Sequence, residues 1–231
     1  MKNKIVSVVI PAFNEEQSIG KVVLDIDRDI VNHVIVVNNN STDNTVNVAS
    51  EAGAIVLTEK RKGYGWACLK GIEECEKLNT EIIVFLDGDY SDYPEEIKDV
   101  IKPILEEDKD MVIGSRVLGV REKGSLNPQQ VFGNWLATKL IRLFYGGVFT
   151  DLGPFRAMKF DSLKKLSMAD KTYGWTIEMQ IKALKHKMTY CEVPVNYKKR
   201  IGVSKVSGTI KGTVLAGIKI IFAVFKYKFE K

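Results

Sequence analysis

The sequence contains few of the residues from which covalent scaffolds and metal centres are usually built. Among its 231 residues are only three cysteines and two histidines. Cys68, Cys75 and Cys191 form no Cys-x-x-Cys pair, so a disulfide framework is excluded and buried thiols are expected. His33 and His186 are expected to have no metal role. Because no signal peptide is recognised either, we expect the protein in the reducing cytoplasm.

Long apolar runs and basic stripes are also missing. Lysines interrupt the apolar tail over 209–229, which therefore falls short of the roughly 20 apolar residues that span a bilayer. The body of the chain has no basic stripe with interleaved aromatic residues, so nucleic acid is not expected as a ligand. The formal net charge is +5, and segment 198–231 holds nine basic residues and one acidic residue. An anionic partner is therefore expected at this end.

Apolar, β-branched runs alternate with helical patterns in the first half of the chain. The runs are Ile5–Ile10, Val34–Val37, Ala54–Leu57, Ile82–Leu86 and Met111–Ile113, and the helical patterns cover 15–29, 43–52, 64–77 and 94–108. This alternation predicts an α/β domain over residues 1–208 with a mostly parallel sheet between helices. Farther along, we expect helices over 129–146 and 174–186, a strand over 188–193, and loops over 117–128, 146–156 and 198–208.

Polar residues follow the predicted strands at their carboxyl ends, where open α/β sheets bind their ligands. The loops concerned are Pro11–Glu16, Asn38–Asp43, Glu59–Tyr64, Asp87–Tyr93 and the segment from Arg116 onward. Since all five meet at one edge of the sheet, we expect a ligand site there.

Asp87 and Asp89, separated only by Gly88, directly follow the apolar run that ends at Leu86. Two carboxylates this close repel each other, and a divalent cation relieves the repulsion. Their oxygens suit Mg²⁺ or Mn²⁺, with the phosphates of a nucleotide completing the coordination shell. The alternative is a strand-end turn that uses Asp and Gly only for their turn conformations. For an isolated Asp-Gly-Asp both interpretations stand.

Six motifs taken together resemble glycosyltransferase family 2, whose members are inverting enzymes with the GT-A fold. The motifs are VVIPAFNEE (8–16), NSTDNT (40–45), FLDGD (85–89), GSR (114–116), FRAM (155–158) and RIGVSK (200–205). The similarity covers about residues 4–208 and is greatest to the branch that uses dolichyl or polyprenyl phosphate as acceptor. It implies a GT-A domain, a nucleotide diphosphate-sugar donor and a Mg²⁺ or Mn²⁺ cofactor.

The resemblance also implies which residues bind the donor. These are Pro11, Phe13, Glu15, Asn39, Asp43, Lys62, Asp87 and Asp89, with the last two as metal ligands. Glu15 would lie near the ribose, the 38–43 segment near the base, and Lys62 beside the diphosphate. The family often has Asp at position 38 or 39, but both residues are Asn here. Because an amide both donates and accepts, the preferred base stays open.

For catalysis, the resemblance implies Asp89, Asp151, Glu178 and Arg200 as candidates. A hydroxyl acceptor loses a proton during attack, so Asp151 or Glu178 would serve as the base. A phosphate acceptor is already anionic near neutral pH, because its second pKa is about 6, and needs little help from a base. Acceptor or donor phosphates would be bound by Arg116, Arg156, Arg200, Ser204 and Lys205. Gln129 and Gln130 stand where the polyprenyl-phosphate branch tends to have Arg and Ser.

The apolar tail over 209–231 predicts an amphipathic helix. At roughly 100° per residue, Lys211, Lys219 and Lys226 fall within about 80° of one another, and the other faces are apolar. This pattern predicts a helix lying on a membrane surface, which would make the protein peripheral on the cytoplasmic face. The alternative is that the helix packs on the domain or on a second subunit in a homodimer.

These expectations converge on inverting transfer of a hexose from UDP or GDP to an acceptor, with polyprenyl phosphate as the candidate, at a membrane surface. One alternative is a catalytically silent, membrane-associated module that binds nucleotide-sugars. Another is a sugar nucleotidyltransferase, but such enzymes usually have a glycine-rich loop where this chain has Pro11–Glu16.

Overall fold

The computed structural model describes residues 4–202 and 221–228. The strands are β1 (Val6–Ala12), β2 (His33–Asn38), β3 (Ile55–Thr58), β4 (Ile82–Phe85), β5 (Met111–Ser115), β6 (Arg156–Lys159) and β7 (Tyr190–Pro194). The helices are α1 (Ile19–Leu24), α2 (Thr45–Glu51), α3 (Tyr64–Lys77), α4 (Ile97–Glu106), α5 (Pro128–Tyr145), α6 (Phe160–Leu166) and α7 (Trp175–Lys185). A short 3-10 helix, Pro94–Glu96, precedes α4.

The ends of α5 show how local chemistry sets the bounds of a helix. Its first residue is Pro128, whose missing N–H costs nothing at that position. Asn127 accepts a hydrogen bond from the N–H of Gln130 at 2.8 Å, and the Gln130 side chain accepts one from the N–H of Asn127 at 2.9 Å. This reciprocal cap satisfies two free donors. The helix ends at Gly146, whose φ of 73° suits glycine.

The seven strands form one sheet in the order β3-β2-β1-β4-β6-β5-β7. Strand β6 is antiparallel to its neighbours β4 and β5, and the other neighbouring pairs are parallel. The prediction of a mostly parallel sheet is therefore confirmed, with one reversed strand inside it.

Both faces of the sheet are buried under helices. In β1, Val8 and Ile10 pack toward α1, α2 and α4, while Val9 packs toward α3, α5, α6 and α7. Because the two faces are both covered, the strands are continuously apolar instead of alternating with polar residues. Trp175 belongs to the second layer, where its ring meets Phe85 edge to face at 6.0 Å.

The structure differs from the expected elements in three places. The expected helix over 15–29 is only Ile19–Leu24, since the residues before it form turns and Asn14 adopts a φ of 53°. Strand β6 and helix α6, which lie in and just after the FRAM motif, were not predicted at all. The four residues of β6 are too few to show a period, and the strand is fixed by pairing with residues distant in sequence.

Several expectations concern residues outside the described part of the chain. Ser204, Lys205, the proposed boundary after residue 208 and most of the amphipathic tail fall in 203–220. Residues 221–228 are helical, and Ala223, Val224 and Tyr227 are buried in the α3–α5–α6–α7 layer. Within the described ranges, the structure has no helix with the length and apolarity that crossing a bilayer requires.

Two glycines within helices test how tightly the layers are packed. A Cβ at Gly71 of α3 would lie 2.4 Å from Cγ1 of Val9, whereas a Cβ at Gly133 of α5 would meet nothing within 4 Å. We expect Gly71→Ala to lower the free energy of unfolding by about 1–3 kcal/mol through overpacking. Gly133→Ala, the matched control, should raise it by about 0.5–1 kcal/mol. Urea titration checks both, and equal midpoints for the two variants would contradict the packing described here.

Candidate active site

The sheet has an open crevice where its strand order reverses. From β1 the chain continues to β2 and β3 on one side, and then places β4 on the other side of β1. In such sheets, ligands bind outside the carboxyl ends of the strands at this reversal. The N–H of Leu86 donates to the carbonyl of Val9 at 3.2 Å, so pairing between the two strands continues to the residue before Asp87. Asp87 therefore begins the loop at the crevice.

Asp89 is buried, and both of its carboxylate oxygens have partners. Oδ1 accepts hydrogen bonds from the N–H of Ser91 at 3.0 Å and from the Ser91 hydroxyl. Oδ2 pairs with Nη1 of Arg200 at 3.0 Å. Burial lowers the pKa of Arg200, but Asp89, Tyr197 and Asp87 together outweigh it and the pKa is raised. The structure thus brings together two of the predicted catalytic residues, Asp89 and Arg200.

The surroundings of Asp87 disfavour its ionised form. Its Oδ1 accepts a hydrogen bond from the hydroxyl of Tyr64 at 3.2 Å. Loss of hydration, followed by the nearby charge of Asp89, raises the pKa of Asp87 to about 7. The charges of Arg200 and Arg116 offset part of this effect. An additional cation at this carboxylate would stabilise its ionised form.

A third carboxylate, which the sequence reasoning did not single out, belongs to the same loop. Asp92 is buried, and neither of its carboxyl oxygens has a hydrogen-bond partner among the described residues. Burial, then the charges of Asp87 and Asp89, raise the pKa of Asp92 well above its usual value. The signal was present in the sequence, since Asp92 is the third aspartate within six residues.

A divalent cation fits this arrangement. Asp87 and Asp89 supply hard oxygen ligands, and a bound cation would counter the loss of hydration and the charge of Asp89 that raise the pKa of Asp87. In the described part of the chain, no group of three or more His, Cys, Asp or Glu residues is arranged to hold a metal ion. Mg²⁺ is commonly bound in this way, through one or two carboxylates completed by phosphates and water.

Arg116 lies beside this loop and is tied to Asp151. Its Nε and Nη2 donate to the two carboxylate oxygens of Asp151 at 2.8 and 2.7 Å, and its backbone N–H donates at 2.9 Å. The guanidinium also lies over the ring of Tyr197 at 5.0 Å. Asp151 is 1% exposed, and burial raises its pKa, but the charge and hydrogen bonds of Arg116, with the charge of Arg156, together outweigh burial and hold the pKa low. The geometry makes Asp151 the residue that positions Arg116, and it leaves the carboxylate no free oxygen for a base.

Glu178 and Arg156 are fully buried, and each is bonded to a nearby turn. Glu178 is 0% exposed and accepts hydrogen bonds from the N–H groups of Ala169 and Asp170 at 2.8 and 2.7 Å, with Lys182 at 2.7 Å. Arg156 is also 0% exposed and donates to the carbonyls of Leu152, Gly153 and Thr176. Burial lowers the pKa of Arg156 to about 10.

These contacts correct two expectations. Glu178 was a candidate base, but its carboxylate holds the 169–170 turn. Arg156 was a candidate phosphate ligand, but its guanidinium holds the 152–153 turn and has no exposed surface. Neither residue is part of the site described below.

Two of the residues expected to bind the nucleotide line a small cavity. Glu15, Asp43, Ile201 and Gly202 are among the residues that surround a cavity of about 160 Å³. The side chain of Pro11 is half-buried, and Phe13 is 38% exposed at the start of the same loop. The structure therefore brings Glu15 and Asp43 together with the segment that carries Arg200.

Asn39 has a different role from the expected one. Its Nδ2 donates to the carbonyls of Glu59 and Arg61 at 2.9 and 2.8 Å, and its Oδ1 accepts from the N–H of Gly63 at 2.8 Å. The amide therefore fixes the loop that carries Lys62, which is exposed.

The 59–66 segment is held by charge as well. Glu59 is 6% exposed and pairs with Arg61 through Nε at 2.8 Å and Nη2 at 2.6 Å. The guanidinium of Arg61 lies 3.6 Å from the ring centre of Trp66, and the ammonium of Lys171 lies 4.4 Å from it. These contacts hold the basic loop that was expected beside a diphosphate.

Lys198 links the aspartate loop to the segment that carries Arg200. Its ammonium lies 3.3 Å from the ring centre of Tyr90 and 4.4 Å from that of Tyr93, and its N–H donates to the carbonyl of Ser91 at 2.9 Å. Sequence reasoning missed Lys198 because a lysine in a basic loop looks like any other. The two tyrosines beside the aspartates were the available signal.

The sequence is similar to a known protein family and to individual known proteins. The family described as "Glycosyl transferase family 2" matches residues 7–167. An uncharacterized protein of Methanocaldococcus jannaschii is 31% identical over 226 residues, which cover 96% of this chain and 91% of that protein. The UDP-N-acetylglucosamine–dolichyl-phosphate N-acetylglucosaminyltransferase of Methanococcus voltae is 29% identical over 254 residues, covering 100% and 99% of the two chains.

Among solved structures, glucosyl-3-phosphoglycerate synthase from Mycobacterium tuberculosis, in complex with Mn²⁺, UDP and phosphoglyceric acid, superposes with a TM-score of 0.78. It is 21% identical, and the match covers 99% of this chain and 80% of that one. The predicted GT-A fold is thereby confirmed.

The Glu59–Arg61 pair predicts a specific acid sensitivity. Hydrogen bonds from Arg61 lower the pKa of Glu59 from 4.5 to about 2. The pair therefore stabilises the fold fully above pH 4.5, and this contribution is lost as the pH falls toward 2. We expect the stability difference between the wild type and Glu59→Gln to shrink over that interval, measured as urea midpoints by tryptophan fluorescence. A difference that stays constant with pH would contradict the assignment.

A substitution in the buried Arg116–Asp151 pair tests whether Asp151 positions Arg116 or acts as a base. Asp151→Asn leaves a buried guanidinium without its counter-charge, which we expect to lower the free energy of unfolding by about 3–5 kcal/mol. Asp161→Asn, at an 85% exposed side chain, is the matched control and should change it by less than about 0.5 kcal/mol. If Asp151→Asn abolishes turnover at unchanged stability, Asp151 is the base after all.

Proposed function

Because the chain belongs to glycosyl transferase family 2, we propose that it transfers a hexose from UDP or GDP to a polyprenyl phosphate at a membrane surface, with inversion and with Mg²⁺ or Mn²⁺. The observation that carries this proposal is the presence of Asp87 and Asp89 at the reversal of strand order. Arg200 lies at the same place and forms an ion pair with Asp89 at 3.0 Å. Transfer is favoured over the sugar nucleotidyltransferase alternative by the family match.

The donor side of the proposal rests on the charges at the crevice. Asp87 and Asp89 would hold the divalent cation, which supplies Lewis-acid stabilisation of charge on the departing nucleoside diphosphate. Arg200 and Lys62 lie on segments that reach the same edge and would bind phosphate oxygens. The remaining proposed phosphate ligands, Ser204 and Lys205, follow Arg200 within five residues.

The nucleotide is proposed to be UDP in the first instance. The name of the Methanococcus voltae relative specifies a UDP-linked sugar, and the mycobacterial synthase was solved with UDP. Glu15 and Asp43, beside the 160 Å³ cavity, are the proposed contacts to the nucleoside. Since Asn39 holds the 59–63 loop, it would act on the nucleotide only through the position of that loop.

The acceptor side rests on the state of the two candidate bases. Asp151 and Glu178 are both buried and have every carboxylate oxygen paired. A hydroxyl acceptor would need a base in contact with it, whereas a phosphate acceptor is largely ionised at neutral pH. A phosphate nucleophile therefore agrees with the site as it stands. The dolichyl-phosphate acceptor in the name of the Methanococcus voltae relative supports the same class.

Arg116 is the proposed ligand of the acceptor phosphate. Its side chain is 12% exposed, and Asp151 and Tyr197 fix the direction of its guanidinium. Its charge offsets part of the rise in the pKa values of Asp87 and Asp92, so Arg116 lies near the aspartate loop.

Transfer can be tested with purified protein, a panel of UDP- and GDP-sugars, and a polyprenyl phosphate in detergent. We expect the sugar-linked polyprenyl phosphate to form with Mg²⁺ or Mn²⁺, and no product to form in EDTA. Asp89→Asn should lower kcat/KM by about 10²-fold or more, because several kcal/mol of charge stabilisation are lost. Asp99→Asn, on the outer side of α4, is the matched control and should retain activity.

Two outcomes would contradict the proposal. Full activity in EDTA would remove the metal from the reaction. Donor binding without turnover on any acceptor would favour the silent nucleotide-sugar-binding module.

A further inference from the structure

The outward side of α5 is apolar and aromatic although nothing in the described structure covers it. At roughly 100° per residue, Val131, Phe132, Trp135, Lys139, Arg142 and Leu143 fall within an arc of about 120°. Phe132 is 59% exposed, Trp135 53% and Leu143 74%. The rings of Phe132 and Trp135 are 5.8 Å apart, so they form one aromatic surface. We call these six residues the α5 face.

The α5 face carries positive charge without any negative charge. The 18 residues of α5 include Lys139 and Arg142 in the middle of the face, and no Asp or Glu. The pattern of exposed Trp and Phe beside Lys and Arg is typical of helices that lie in the plane of a membrane interface.

The helical segment 221–228 packs against the C-terminal end of α5 and has exposed apolar side chains of its own. Its Phe225 ring meets Phe144 of α5 at 5.2 Å, and the ammonium of Lys228 donates to the carbonyl of Phe144 at 3.1 Å. The side away from the core exposes Phe222 to 64% and Phe225 to 44%. The segment, like α5, contains lysines and no acidic residue. Its apolar residues thus divide between packing on the domain and facing outward.

A cavity opens among the same residues. It has a volume of about 350 Å³, and Val131, Trp135, Lys139 and Arg142 contribute to its lining. Its other end reaches Thr150, whose hydroxyl shares a hydrogen bond of 2.6 Å with Ser115, the residue before Arg116. The cavity therefore lies beside the segment that carries Arg116, the proposed ligand of the acceptor phosphate.

We propose that the α5 face docks on an anionic lipid bilayer. The proposal deepens the proposed function, since an acceptor held in a membrane requires the crevice to lie at its surface. A second copy of the chain is a poorer occupant for a physical reason. In a symmetric dimer the same patch faces itself, so Lys139 and Arg142 would be buried against like charges with no carboxylate on α5 to pair with them. Anionic headgroups supply the missing charge.

Vesicle flotation of the full chain tests this directly. Vesicles of phosphatidylcholine alone are compared with vesicles containing about a third phosphatidylglycerol. We expect the wild type to float only with the anionic vesicles and less as NaCl rises from about 0.05 to about 0.5 M. The double variants Phe132→Ala/Trp135→Ala and Lys139→Glu/Arg142→Glu should each lower the partition coefficient by about tenfold or more.

Matched controls lie on the opposite face of the sheet. Leu24→Ala/Leu105→Ala removes exposed apolar side chains from α1 and α4, and Lys98→Glu/Lys102→Glu reverses two charges on α4. Both should float like the wild type. Thermal unfolding followed by circular dichroism, and binding of UDP with Mn²⁺ in solution, establish that each variant is folded.

Three results would overturn the proposal. They are equal flotation with neutral and anionic vesicles, wild-type flotation of both α5-face variants, and a dimer in solution that Phe132→Ala/Trp135→Ala converts to a monomer without any vesicle binding. The proposed function fails separately. If the wild type floats as expected but transfers no sugar to any acceptor, docking stands and transfer to a membrane lipid falls.

Discussion

The site depends on the repulsion between two carboxylates held one glycine apart at the end of β4. Asp87 cannot move away, because β4 is paired on both sides and the loop is hydrogen-bonded to the 197–201 segment. Arg200 neutralises Asp89, but the pKa of Asp87 is still raised to about 7. Loss of hydration at Asp87 and the charge of Asp89 therefore make this corner of the crevice favourable for a cation. In the proposed function, a divalent cation that arrives with a nucleoside diphosphate would supply that charge and bring the donor to the carboxyl ends of β1 and β4.

The other buried charges serve to hold loops in place. Asp151 fixes Arg116, Glu178 fixes the 169–170 turn, and Arg156 fixes the 152–153 turn. Burial of these three charged side chains is tolerated because each has hydrogen-bond or ion-pair partners. The exception is Asp92, a carboxyl without partners beside the aspartate pair. With the candidate bases engaged elsewhere, the proposed chemistry at the crevice is departure of the nucleoside diphosphate from the sugar, assisted by a cation, and attack by an acceptor that is already an anion.

The sequence was sufficient to locate the strands as far as β5 and to identify the edge of the sheet at which the expected site residues lie. Continuous apolar runs identify buried parallel strands, and their carboxyl ends then determine the crevice. Sequence could not supply β6, whose four residues pair with distant β4 and β5. It also could not tell which charged side chains hold turns or neighbouring side chains in place, so Asp151, Glu178 and Arg156 looked as reactive as Asp89. Asn39 looked like a base contact because its two loop partners, around Glu59 and Gly63, are close only in the folded chain.

The central claim is that the aspartate pair takes up a divalent ion together with the donor's phosphates. Mn²⁺ binding, measured by electron paramagnetic resonance with and without UDP, tests it most directly. The account predicts weak binding of Mn²⁺ alone, because two carboxylates are an incomplete shell, and much tighter binding when UDP is present. It also predicts that Asp87→Asn loses the tight binding. Mn²⁺ affinity that is unchanged by UDP, or unchanged by the substitution, would contradict it.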